Sequence, residues 1–166
     1  MQFVRRKIEV ETDRNYCLEC HCRINYTCET PWKRELPYEV YRAEWFSYTS
    51  QTESYLNALR NSVREAHTLA EILETQDGEK IGYFWMTVDC DAESGFSFAE
   101  IQEIYIEESY RGQGIARHMY ALAEQCAKAC GAKVLRAGTG CANSASVQMH
   151  EALGFAAYRK EYEKLL

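Results

Sequence analysis

The stretch best suited to chemistry is Ile104-Tyr105-Ile106-Glu107-Glu108-Ser109-Tyr110-Arg111-Gly112-Gln113-Gly114-Ile115-Ala116. Its first residues alternate as a strand does, a glycine turn follows, and a helical pattern starts at once. A glycine turn that opens a helix points several main-chain N–H groups at one place, at the positive end of the helix dipole. Such a place holds a phosphate, so a phosphorylated cofactor is expected. Two nucleotide motifs do not fit. A P-loop needs Lys-Ser or Lys-Thr after the glycines, and neither follows. A dinucleotide fingerprint needs a third glycine where Arg117 stands, and it belongs early in a strand–helix–strand unit.

A second group is Cys17, Cys20, Cys22 and Cys28, with His21 among them. Zinc or a cluster could use such ligands. The spacing C-x2-C-x-C-x5-C matches no metal knuckle, and no second C-x2-C pair follows. Residues 13–28 also read as a helix that sets Cys17, Cys20, Ile24 and Cys28 on one side, where cysteine acts as a small hydrophobe. Packing is the preferred reading over metal or disulfides, and no metal is expected.

Elements must place these residues. Residues 2–11 alternate as a first strand, with Val4, Ile8 and Val10 as candidates for its buried side. A helical region runs to about Cys28, and Pro31 and Pro37 bracket an irregular link. Helical spacing returns over 39–65 through Tyr41, Trp45, Tyr55, Leu59 and Val63. A strand over 67–75, a hairpin turn at Gln76-Asp77-Gly78-Glu79, and a strand from Ile81 to Cys90 come next. After a turn at 91–95, a further strand covers about 97–107. The helix behind the glycine turn carries Ile115, Met119, Leu122, Cys126 and Cys130 on one face and stops at Gly131. Lys133 to Ala137 is a short strand. Asn143 caps a last helix of about 144–153, which ends at Gly154. A terminal strand is expected over roughly 156–164. The order is an α/β chain on a mixed sheet, a single domain over 1–166.

Composition narrows the function classes. Hydrophobic content of 46% with two prolines fits a globular chain. No apolar run nears the roughly 20 residues of a membrane span. The start Met1 to Lys7 has no apolar block behind its charges, so no secretory signal is read and a cytoplasmic setting is expected. The net charge of −6 argues against general nucleic-acid binding. Within 111–136, however, Arg111, Arg117, Lys128, Lys133 and Arg136 face the single acid Glu124. A basic patch beside the glycine turn suits an anionic cofactor, and the acidic remainder would attract a cation.

Arg111-Gly112-Gln113-Gly114-Ile115-Ala116 fits the pattern Gln/Arg-x-x-Gly-x-Gly/Ala, the acetyl-CoA signature of the GNAT superfamily of N-acetyltransferases. Asn143-Ser144-Ala145-Ser146-Val147-Gln148-Met149-His150-Glu151-Ala152-Leu153-Gly154-Phe155 resembles that family's later N-x-x-A-x-x-L-Y-E-K-L-G-F block. The two blocks in this order and spacing resemble the family over about residues 80–160. The resemblance implies an α/β (α+β) fold with a mixed, mostly antiparallel sheet flanked by helices. The strand before the turn (about 98–107) and that at 133–138 would splay apart. It implies acetyl-CoA as co-substrate. Pantetheine would pair with backbone near Ile104, Tyr105 and Ile106, and the pyrophosphate would sit on N–H groups of Gln113 through Ala116, including Gly114 and Ile115. Arg111 and Arg117 would add charge, and Asn143 and Ser146 would lie near pantetheine.

Catalytic roles follow from the same resemblance. Glu100 matches the glutamate base of family histone acetyltransferases. Strand alternation puts Glu100, Gln102 and Ile104 on one face. Gln102 stands where some relatives carry an acid, and a glutamine takes no proton. Glu103, facing the other side, is the second candidate. His150 stands where most members have a tyrosine facing the coenzyme sulfur, and imidazole could donate there. Some aminoglycoside 6′-N-acetyltransferases read similarly in this block. Trp32, Trp45 and the tyrosines of 38–55 could line an acceptor pocket, and such a pocket would suit a cation. The expected activity is transfer of acetyl to a primary amine of a small cationic molecule, directly within a ternary complex. Alternatives are a protein N-terminus or lysine as acceptor, a non-catalytic acyl-CoA-binding regulatory module, and a metal-dependent interaction protein. Neither nucleic acid nor membrane is an expected partner, and a homodimer is compatible with the sequence.

Overall fold

The computed structural model describes residues 2–28, 35–91, 93–164 and 166. The chain runs β1 (Val4–Lys7), α1 (Val10–Cys28), α2 (Tyr38–Ser47), α3 (Thr49–Ser62), β2 (Leu69–Glu74), β3 (Lys80–Cys90), β4 (Ser97–Ile106), α4 (Ile115–Ala129), β5 (Val134–Ala137) and α5 (Ser144–Ala152). The strands lie side by side in sequence order. Neighbours are antiparallel except β4 and β5, which run parallel. Parallel neighbours need a crossover, and α4 supplies it. This is the mixed, mostly antiparallel sheet that the sequence leads one to expect.

Both faces of the sheet are covered, so the middle strand reads as an unbroken apolar run: Ile81 to Met86 are all buried. Helices α1 to α3 cover one face, with Ile72, Tyr83, Trp85 and Tyr105 beneath them. Helix α4 covers the other, over Leu73, Phe84, Ala99, Ile101 and Ile106. Asp13, 1% exposed, joins these layers: its carboxylate takes Arg6 of β1 at 2.7 Å and Lys80 of β3 at 2.8 Å.

Several sequence expectations change. Val4 is exposed, and Val10 already belongs to α1, so only Ile8 serves the buried side as drawn. The 39–65 region is two helices, broken at Tyr48. The core side of α4 is Ile115, Met119, Tyr120, Ala123 and Ala127, while Leu122, Cys126 and Cys130 flank it half-buried. Cys17, Cys20 and Cys22 pack in the core, and burial pushes the Cys17 thiol up to about 12. Cys28 is exposed and leaves that cluster. Residues 155–164 form no strand. That segment carries five charged side chains and leaves Tyr158 and Tyr162 in solvent, so it has no apolar face to lay on the sheet. Pro31 and Trp32 lie outside the described residues. Among the described residues, no helix is long and apolar enough to cross a membrane.

Candidate active site

A cleft of about 2030 Å³ opens between β4, β5, α4 and α5, with the end of α1 at its rim. It exists because β5 is short. Strand β5 pairs with β4 only from Phe98 to Ile101 and then ends, so β4 from Gln102 to Ile106 has no partner on that side. Gln102 and Glu103 of this stretch line the cleft. This divergence of the two strands is what the resemblance predicts.

The open edge leads into the glycine turn. Gly112 and Gly114 adopt φ of +75° and +81°, and a Cβ on either would meet nothing within 4 Å. Gly114 is the left-handed residue before α4. Main-chain amides of Gln113 through Arg117 donate to no acceptor among the described residues, whereas that of His118 bonds to Gly114 oxygen at 3.0 Å. Free amides at a helix start are an anion site in search of its anion. Arg111 braces the turn, since its Nε donates to Ile106 oxygen at 2.9 Å. Arg117 is exposed and lines the cleft. The residues therefore fit the diphosphate of coenzyme A and an extended pantetheine beside β4.

The acids of β4 stand differently from the sequence expectation. Trp85 pairs with Glu103, but Met86 pairs with Ile101, so Gln102 is an extra residue in the ladder. This bulge shifts the alternation by one. Glu100 and Glu103 consequently share the α1–α3 face with Tyr105, and Glu103 does not face away from Glu100. Ala99, Ile101, Ile104 and Ile106 point to the α4 side. The Gln102 amide bonds to Thr87 at 3.0 Å and reaches Glu100 at 3.4 Å. Both glutamates line the cleft, Glu100 half-buried and Glu103 only 8% exposed.

Glu103 has a partner that no spacing announced. Its Oε1 is hydrogen-bonded to His21 Nδ1 on α1. The other imidazole nitrogen, Nε2, receives the Asn25 amide at 3.0 Å. The His21 ring stacks on Tyr55 with centroids 4.0 Å apart and meets Trp45 edge-on at 5.3 Å. Glu103 Oε2 is buried with no hydrogen-bond partner among the described residues.

Across the cleft, Asn143 caps α5 by accepting the Ser146 amide at 3.2 Å. One turn later His150 meets the Tyr120 hydroxyl at 2.7 Å through Nε2, and Ser146 Oγ lies 3.4 Å from Nδ1. Burial lowers the affinity of His150 for a second proton. A neutral ring takes the Tyr120 O–H on Nε2 and keeps its own proton on Nδ1. His150 on α5 thus holds a tyrosine from α4. Tyr120 and His150 both line the cleft.

A smaller cavity of about 500 Å³ lies among α1, α2 and α3, lined by Asn25, Cys28, Leu36, Tyr41, Glu44, Trp45, Tyr48 and Gln51. Asn25 and Cys28 line the large cleft too. Trp45, Tyr41 and Tyr48 thus line this space, whereas Tyr38 and Tyr55 do not. His67 and His118 lie outside both cavities.

Comparison with known proteins gives a consistent set of relatives. A model of the acetyltransferase (GNAT) family matches residues 33–155. An L-methionine sulfoximine/L-methionine sulfone acetyltransferase of Salmonella typhimurium is 27% identical over 88 residues, 51% of this chain and 48% of that protein. An L-amino acid N-acyltransferase of Escherichia coli is 30% identical over 98 residues, 55% of this chain and 54% of that protein. The matches thus span about half the length of these curated relatives. The crystal structure of an aminoglycoside 6′-N-acetyltransferase from Acinetobacter baumannii superimposes with a TM-score of 0.67 at 20% identity, over 99% of each chain. That likeness concerns the fold.

Proposed function

The chain belongs to the acetyltransferase (GNAT) family, and from that premise we propose that it is an acetyl-CoA-dependent N-acetyltransferase acting on a primary amine of a small molecule. The observation that carries this reading is the open edge of β4 running into the unpartnered amides of Gln113 to Arg117. The edge can take an extended pantetheine by main-chain hydrogen bonds, as another strand would. The amides, with Arg117, can take the diphosphate. Ile104, Tyr105 and Ile106 would supply the first contacts, and Asn143 and Ser146 would approach from α5.

Transfer is direct, within a ternary complex. No cysteine occupies the matched motif positions, so no acyl-enzyme is invoked. A carboxylate-bearing wall on β4, Glu100 and Glu103, assists the amine as it sheds a proton and bonds to the thioester carbonyl carbon. The Tyr120–His150 pair can hand a proton to sulfur as the carbon–sulfur bond breaks. The small cavity selects the acceptor. Its aromatic walls and the Glu44 carboxylate suit a cationic molecule. A second reading, a free amino acid as acceptor, is favoured by the two curated relatives, which act on amino acids by name. The reducing cytoplasm suits eight unpaired cysteines.

The test is release of free thiol from acetyl-CoA across a panel of L-methionine sulfone, neamine, spermidine and a peptide with a free N-terminus. Turnover with one small amine and not with the peptide is expected. Absence of both turnover and calorimetric heat with acetyl-CoA and free CoA would end the reading.

A further inference from the structure

We propose that His21 and Glu103 form a two-residue base, in which His21 Nε2 takes the acceptor's proton and Glu103 holds the ring from behind. The inference rests on the acetyl-transfer reading above and assigns one of its steps to residues of α1 and β4.

Three observations lead to it. Glu103 is enclosed between the sheet and α1, where an ionised carboxylate is costly without compensation. Asp13 of α1, the other buried acid among the described residues, has two cations on it. Glu103 has only an imidazole. A buried acid held by one imidazole rather than by fixed cations is poor scaffolding and good equipment.

The ring is fixed in one orientation. Tyr55 stacks on it, Trp45 abuts its edge, and Nδ1 is committed to Glu103. With Nδ1–H donating to the carboxylate, Nε2 carries the lone pair and is turned towards Asn25. A carboxylate behind an imidazole sets its tautomer and stabilises the cation formed when the far nitrogen is protonated.

His21 itself lines neither cavity, but its two hydrogen-bond partners reach them. Glu103 lines the coenzyme cleft, Trp45 lines the smaller cavity, and Asn25 lines both. The Asn25 amide occupies Nε2 in the free protein, and an acceptor ammonium at that junction supplies the same kind of N–H donor. Other ionisable groups packed here are Cys17 and Cys20 of α1, Tyr55 of α3, Tyr83 of β3 and Tyr105 of β4. Burial holds these thiols and phenols in their protonated form at neutral pH. His21 and Glu103 are the hydrogen-bonded pair at this spot. Glu100 is more open and already receives the Gln102 amide.

The protons balance. An ammonium acceptor gives one proton to Nε2, making a free amine and an imidazolium. As nitrogen bonds to the carbonyl carbon and the carbon–sulfur bond breaks, the second proton passes to the departing sulfur. The Nε2 proton returns to water after product leaves.

The experiment measures kcat and KM for the panel amines from pH 6 to 9, with acetyl-CoA affinity by calorimetry, for wild type, His21→Gln, Glu103→Gln and Glu100→Gln. His21→Gln should lower kcat about 100-fold or more and remove the acid limb of the pH profile, with coenzyme affinity unchanged. Glu103→Gln should lower kcat by at least about tenfold, and Glu100→Gln should keep the acid limb. A folded His21→Gln that binds acetyl-CoA and turns over within about threefold of wild type, with an unaltered profile, would overturn the dyad and leave the acetyltransferase reading intact. If His21→Gln does not fold, Glu103→Gln decides by the same criterion, because it keeps an oxygen for Nδ1–H. Failure of wild type to bind acetyl-CoA would remove the functional reading itself and the dyad with it.

Discussion

At Gly114 the main chain takes a left-handed turn into empty space, and the amides of Ile115 to Arg117 have no acceptor among the described residues. Gly114→Glu would strain the backbone and set a carboxylate at the proposed diphosphate site. Calorimetry should show coenzyme affinity lowered at least ~100-fold, against a folding cost of only about 1–2 kcal/mol for the left-handed conformation. Retained affinity would contradict the phosphate assignment. This site is legible in the sequence because its parts are contiguous: two glycines, a helix start and a strand within one short run. The His21–Glu103 pair is not legible, since its members are 82 positions apart and His21 sits among cysteines that suggest a different chemistry. Tyr120 and His150, 30 apart on separate helices, escape for the same reason. Contacts across the tertiary fold leave no periodic mark on the chain.

Among the elements, α5 depends on its first residue. It has no fully buried side chain, and Asn143 satisfies the Ser146 amide. Asn143→Ala should therefore destabilise the protein by about 1 kcal/mol, read as a lowered unfolding midpoint, with loss of helical signal confined to residues after 143. An unchanged midpoint would show that α5 is held by its packing on Tyr120 and Phe155 instead. Turns and helix ends were readable where glycine, asparagine or proline marks them by its own conformational preference, but not at Tyr48, where no such residue stands. The bulge in β4 was not. An inserted residue such as Gln102 has no signature of its own, and an even alternation through 97–107 sets Glu103 on the wrong face. The terminal strand failed for another reason: strand-like alternation over 156–164 has meaning only where a neighbouring edge and an apolar face await it.

For the whole molecule, Asp13 ties α1 to β1 and β3. Burial pushes its carboxyl upward, but Arg6, Lys80 and the Glu9 amide overcome this and hold it down at about 2, against an ordinary value of 3.8. The folded-state value is depressed, so its stabilisation is complete above pH ~4–5 and is lost as pH falls through 3.8 toward 2. The difference corresponds to about 2 kcal/mol. Urea unfolding at pH 7, 4 and 2.5 should show that loss, and Asp13→Asn should flatten it while costing about 3 kcal/mol at pH 7. An equal pH slope in the variant would remove Asp13 from the account. The sheet that Asp13 helps to clamp has two cores, one under α1–α3 and one under α4, and Gln102 decides which residues of β4 belong to each. Parity is therefore a heritable property of this strand. Deleting one residue there would act as a frameshift in space, turning Ala99 and Ile101 toward the acceptor side and both Phe98 and Glu100 into the opposite core, whereas adding or removing a pair would restore the odd–even sense. A single codon, with no catalytic group touched, could silence the protein.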